Sequence, residues 1–249
     1  MRLKLIGCEV LLRELCHLVA RSPHQVDVEF LPKGLHDLGG VPMSRRIQEV
    51  IDRTDPKVHE AVLLGYALCG NGVLGLEART VPLVLPRAHD CIALLMGSRQ
   101  RYQEYFDANP GVYFRSPGWL ERGENLEQLT MEQSRRKSGA GHNLDDLIAK
   151  YGEDNGRYLW EQFTSYEQTY RQITYITTGV ERDKRFEEKS AREARERGWA
   201  FEQVQGDLGL LDRFLSGEWN SEDFLTVPVG YRTVACYDES ILGIEEIPV

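Results

Sequence analysis

Apolar and polar positions along the chain repeat with two periods. Arg2 to Ile6 reads as a strand, with Leu3, Leu5 and Ile6 apolar, and opens directly into Gly7-Cys8. Glu9 to Ala20 then carries Val10, Leu11, Leu15, Leu18 and Val19 at helical spacing. Val26, Val28 and Phe30 alternate with Asp27 and Glu29, a period-two strand that runs into the turn-rich Leu31-Pro32-Lys33-Gly34-Leu35-His36-Asp37. Pro42 to Arg53 returns to helical spacing through Ile47, Val50 and Ile51. Two continuous apolar runs follow, residues 61–64 and 81–85, as expected of strands buried on both faces. Cys91 to Asn109 predicts a helix, and Val112-Tyr113-Phe114 a short strand. Alternating strand and helix with short connections is the signature of a parallel α/β sheet.

The second half is less regular. Residues 120–142 are polar and charged, and Leu144 to Gln172 has helical spacing despite Gly152 and Gly156. Ile173 to Thr177 predicts a strand, and Glu181 to Arg197 a charged helix closed by Gly198. Ala200 to Val204 reads as a strand, Leu210 to Ser216 as a short helix, and Phe224 to Val227 as a last strand before an extended tail. The expectation is one α/β domain over residues 1–249, with a mostly parallel sheet built of two or three related βα units and a helical excursion at about 120–172. The repeat is read from three strand pairs. One ends in Gly7-Cys8 and LPKGLHD, the second in Leu68-Cys69-Gly70 and LPRAHD, and the third in Thr177-Thr178-Gly179 and Gly206-Asp207.

Composition narrows the function classes. The 249 residues carry a net charge of −9, which disfavours binding to nucleic acid or anionic membranes. No apolar run approaches the roughly 18 residues of a membrane span. Leu5-Ile6-Gly7-Cys8 superficially matches a lipoprotein cleavage site, but Arg2 and Lys4 interrupt the short stretch before it, so a first strand is the better reading. The expected location is therefore the cytoplasm. There are five cysteines, an odd number, which argues against a disulfide framework.

Two strand ends concentrate the reactive letters: Leu64 to Gly72 and Pro86 to Cys91. In open α/β sheets the crevice beyond the strand ends holds the site. Cys8, Cys69, His89 and Cys91 are the candidate metal ligands, since thiolate and imidazole are preferred by zinc. Three cysteines would equally suit an iron–sulfur cluster, or one could act as a nucleophile. His36 and Asp90 are candidate proton carriers, with Asp90 as a plain helix cap the alternative. Gly70-Asn71-Gly72 is a candidate anion nest or a plain turn, and Arg87 a candidate anion anchor. Cys16, inside an apolar helix, and Cys236 read as structural.

IGCEVLLREL, EFLPKGLHD, LLGYALCGNG, LPRAHDCIALLMGSRQRY and YFRSPGW, with KYGEDNGRYL and YITTG, resemble domain-of-unknown-function family 1638 over nearly the whole chain. The resemblance implies proximity to corrinoid-dependent methyltransferase systems, hence one-carbon metabolism. The expected function is a zinc-dependent enzyme acting on a small molecule, with methyl-group transfer as the reaction class and a corrinoid supplied by a partner protein. The alternatives are a non-catalytic accessory protein of such systems and an iron–sulfur enzyme with three cysteine ligands.

Overall fold

The computed structural model describes residues 1–37, 39–123, 144–164 and 170–248. A five-stranded sheet has the order β2-β1-β3-β4-β8, with β1 (Arg2–Cys8), β2 (Gln25–Leu31), β3 (Ala61–Gly65), β4 (Leu83–Pro86) and β8 (Phe224–Val227). All pairings are parallel except β4–β8, so the expected mostly parallel α/β sheet is present. Side-chain alternation divides the interior. Leu3, Leu5, Leu63 and Val84 face one layer, whereas Ile6, Val62, Leu64 and Leu85 face the other. The first layer is covered by α1 (Leu12–Val19), α4 (Cys91–Met96) and α10 (Gly209–Ser216). The second is covered by α3 (Gly40–Ile51), through Met43, Ile47, Val50 and Ile51. On the edge strand β2, Asp27 and Glu29 pair with Arg2 and Lys4 of β1, leaving a charged rather than sticky outer rim.

A second parallel sheet, β5-β6-β7, contains β5 (Val112–Arg115), β6 (Gln172–Thr177) and β7 (Ala200–Gln205), with α9 (Arg185–Arg197) packed on it. Ile176 of β6 joins the same apolar cluster as Leu3 and Leu63. The Asp207 N–H donates to the Leu95 carbonyl at 2.9 Å, tying the end of β7 to α4. Of the three strand pairs read as a repeat, β1–β2 and β3–β4 share the larger sheet. The third, β6–β7, is also adjacent and parallel but belongs to the smaller one.

Three expectations need correction. The helix expected over 144–172 is two helices, α7 (Leu144–Tyr151) and α8 (Glu153–Thr164), broken at Gly152, whose φ of 81° lies in the left-handed region; Gln172 already belongs to β6. The extended tail forms a hairpin of β9 (Tyr231–Ala235) and β10 (Leu242–Glu246), anchored by the buried Thr233, whose hydroxyl donates to the Val73 carbonyl and accepts from the Leu76 N–H. Cys16 is exposed on the outer side of α1. Of the polar excursion, residues 117–123 form α6 (Pro117–Gly123), and 124–143 lie outside the described residues. No helix among the described residues is long and apolar enough to cross a membrane.

Candidate functional site

Beyond the C-terminal ends of β1, β2 and β3 lies a cavity of about 390 Å³. Its floor is backbone. Gly7 and Gly65 are register partners, and a Cβ on either would meet the Leu15 side chain at 3.0 Å. The missing side chains let α1 lie close and leave the strand ends open. Its far wall is largely aromatic, from Tyr113 and Phe114 of β5 with Tyr170, beside Val112, so the site sits between the two sheets.

Cys8, Cys69 and Cys91 all line this cavity. Cys8 ends β1, Cys69 follows β3 in a left-handed conformation (φ 46°), and Cys91 opens α4. The Trp119 indole N–H donates to the Cys91 sulfur at 3.1 Å, and nearby backbone amides, of Val10 for Cys8 and of Ala67 then Cys91 for Cys69, favour the thiolate. Burial is nevertheless the largest influence on all three. It pushes Cys8 and Cys69 up to about 12 and raises Cys91 as well, each thiol reinforcing the others. As free groups they stay protonated near neutrality, and a bound cation would reverse that balance.

Asp90 borders the cavity as the N-cap of α4. Its Oδ1 accepts the Ile92 and Ala93 N–H groups, and its Oδ2 accepts the Tyr102 hydroxyl at 3.0 Å. His36 also borders it, edge-on to Trp119 with ring centroids 5.7 Å apart.

His89 does not join the three cysteines. His89 lies exposed in the bend between the buried Ala88 and the cap Asp90, and lines a groove beside Ser98 and Arg99. Arg87 is no free anion anchor either: its guanidinium donates to the carbonyls of Ser221, Phe224, Ser240 and Leu242. Gly70, Asn71 and Gly72 lie outside the cavity wall. Cys69, Gly70 and Asn71 are three successive left-handed residues, and Gly72 leaves room for Met43, whose Sδ would stand 2.2 Å from a Cβ there. Among the described residues no group of three or more His, Cys, Asp or Glu side chains is drawn together to hold an ion.

Tyr66, Lys33 and Trp119 were missing from the candidates read in the sequence. Each follows a strand: Tyr66 directly after β3, Lys33 in the LPKG turn after β2, and Trp119 in RSPGW after β5. The strand-end rule applied to Cys69 and Cys91 therefore reaches them too. Trp119 is held over the thiols by a close backbone approach. A Cβ on its neighbour Gly118 would fall 1.7 Å from the Val10 carbonyl oxygen, so only glycine lets α6 lie this close. The Lys33 ammonium stands 4.6 Å from the Trp119 ring centroid.

A family model described as "Protein of unknown function (DUF1638)" matches residues 30–215. That stretch holds Lys33, Tyr66, Cys69, Cys91 and Trp119, whereas Cys8 and strands β8 to β10 lie outside it. No curated protein and no solved structure matches the chain. The chain belongs to the DUF1638 family.

Proposed function

We infer that the protein is an enzyme acting on a small molecule, with its chemistry carried by Cys8, Cys69 and Cys91, which together take up a thiophilic ion, zinc in the first instance. The observation that supports this is the donor set: three thiols lining one cavity, with the Trp119 indole N–H donating to the Cys91 sulfur. Such hydrogen bonds stabilise thiolate and tune metal–sulfur centres. The sulfurs must close up on the ion by side-chain rotation, and His89 is no part of the set. Zinc held by three protein ligands supplies a Lewis acid with one open position. The chain's own residues do the rest. Trp119 orients the Cys91 sulfur, Asp90 fixes the first turn of α4, and the aromatic walls exclude water. Methyl-group transfer linked to corrinoid chemistry is the reaction class we attach to this site, on the strength of the sequence resemblance.

The test is metal content of untagged protein, purified under reducing conditions and offered zinc, for wild type, Cys69→Ser, Cys91→Ser and His89→Ala. The expected result is one zinc in wild type and in His89→Ala, and none in the two serine variants. A folded wild type that takes up no zinc overturns the reading in favour of a metal-free binding protein. A brown protein containing iron overturns it in favour of a cluster.

A further inference from the structure

The cavity offers hydrogen-bond donors and few open acceptors. Tyr66 is only 2 % exposed and lines the cavity, yet its hydroxyl has no hydrogen-bond partner among the described residues. A buried phenol normally finds one, and leaving it alone is unfavourable. Lys33 also lines the cavity and has no carboxylate partner among the described residues; its ammonium rests on Trp119. Both groups line the same cavity as the Cys8 sulfur. The acceptor nearby is already engaged: the Asp90 carboxylate receives three donors.

The aromatic walls argue against a cationic guest. Trp119 already carries Lys33, and Tyr113 carries the Arg115 guanidinium at 5.4 Å. A guest complementary to this site presents acceptor oxygens and negative charge at one end, and a flat apolar body at the other.

We propose that the cavity binds a small carboxylate with a flat apolar body, its oxygens received by the Tyr66 hydroxyl and the Lys33 ammonium and its body laid against Trp119 and Phe114, beside the three thiols. This rests on reading the cavity as a small-molecule site and adds the class of molecule. Tyr66 is then a binding residue, and its unsatisfied hydroxyl is retained because the guest completes it.

The experiment is calorimetric titration of the full chain with benzoate, benzamide and benzylamine, which share a body and differ in the head. Benzoate is expected to bind at least tenfold more tightly than either of the others. Tyr66→Phe should weaken benzoate about ten- to hundredfold, the loss typical of one hydrogen bond to a charged group. It should do so without lowering the melting temperature, because no partner inside the protein is lost; a merely structural hydroxyl would lower it. Lys33→Gln should remove the preference for benzoate over benzamide. Equal binding of the three probes, no benzoate binding at millimolar concentration, or unchanged benzoate affinity in Tyr66→Phe overturns the proposal. The titrations are run before and after chelator treatment. Carboxylate preference in a protein that never holds zinc removes the metal reading alone, and zinc uptake without the preference removes this proposal alone.

Discussion

Gly118→Ala is the sharpest probe of how the site is built. The new methyl group would sit 1.7 Å from the Val10 carbonyl oxygen and 2.6 Å from its carbon. Both contacts are of a Cβ with backbone atoms, so no rotamer can relieve them, and α6 must retreat from the turn at Glu9–Leu11 by more than an ångström. Overpacking a tight interior costs about 1–3 kcal/mol, and a contact with no flexible partner belongs at the upper end. For a chain of this size each kcal/mol moves the melting temperature by roughly 2–4 °C, so the expected fall is on the order of 5–10 °C. The retreat also pulls Trp119 off Cys91 and strains the bidentate Arg13–Glu121 pair that ties α6 to α1. Thermal unfolding by circular dichroism gives the first readout. Tryptophan emission gives the second, with Trp119→Phe subtracted to isolate that residue. Gly230→Ala is the control: its φ of 91° carries strain, but a Cβ there meets nothing within 4 Å. A Gly118→Ala protein that melts within about 2 °C of wild type, less than one kcal/mol on this scale, and keeps its Trp119 emission would refute the close approach.

Three further outcomes are expected. Glu14, buried on α1, accepts the Thr178 hydroxyl at 2.9 Å through Oε1 while Oε2 has no partner among the described residues; burial, then the nearby Glu181, raises its carboxyl above the ordinary range. The native state thus holds this proton longer than the unfolded one, so its contribution is full at low pH and is lost as pH rises through the folded value. Glu14→Gln should therefore melt higher than wild type near pH 8, with the gap closing towards about pH 5; melting curves that stay parallel across that range would remove the claim. Arg87→Lys should destabilise the protein by about 2–4 kcal/mol, because an ammonium cannot reach four carbonyls, while leaving benzoate affinity unchanged; weakened binding at unchanged stability would return Arg87 to the substrate. Iodoacetamide at neutral pH should label exposed Cys16 well before half-buried Cys8 and Cys69 or buried Cys91, whose thiols are held protonated; mass spectrometry showing cavity labelling as fast as that of Cys16 would contradict the raised thiols.

The larger sheet was legible because its strands are either fully apolar, as in β3 and β4, or alternating, as in β2, and because each ends in recognisable turn chemistry. What periodicity could not carry was membership. Val112-Tyr113-Phe114 and Ile173 to Thr177 look like any parallel strands, and nothing local says that they leave the first sheet for another. The convergence of Cys8, Cys69 and Cys91 followed from strand ends gathering on one side. The direction of His89 did not, because the bend between Ala88 and the helix cap Asp90 decides it. Arg87 was misassigned for a related reason. Its partners are carbonyls from residues 221–242, and backbone acceptors leave no mark in the sequence. Tyr66 was overlooked because an aromatic after an apolar run reads as more core, and Trp119 because RSPGW reads as a plain turn.

The antiparallel pairing of β4 with β8 has a consequence for biosynthesis. β4 is complete once Pro86 has been made, but its outer neighbour starts only at Phe224. At ribosomal speeds of about 5–20 residues per second, the fully apolar edge of β4 waits on the order of ten seconds for its partner. During that interval the nascent chain presents an unpaired strand edge, the kind of surface that seeds aggregation. The carbonyls that Arg87 gathers arrive in the same late segment, so sheet closure and the docking of the final hairpin coincide. A message ending prematurely near residue 215 would yield almost the whole family-matched stretch and still leave that edge open. The segment that holds β8 thus completes the edge of the larger sheet long after its other strands have been made.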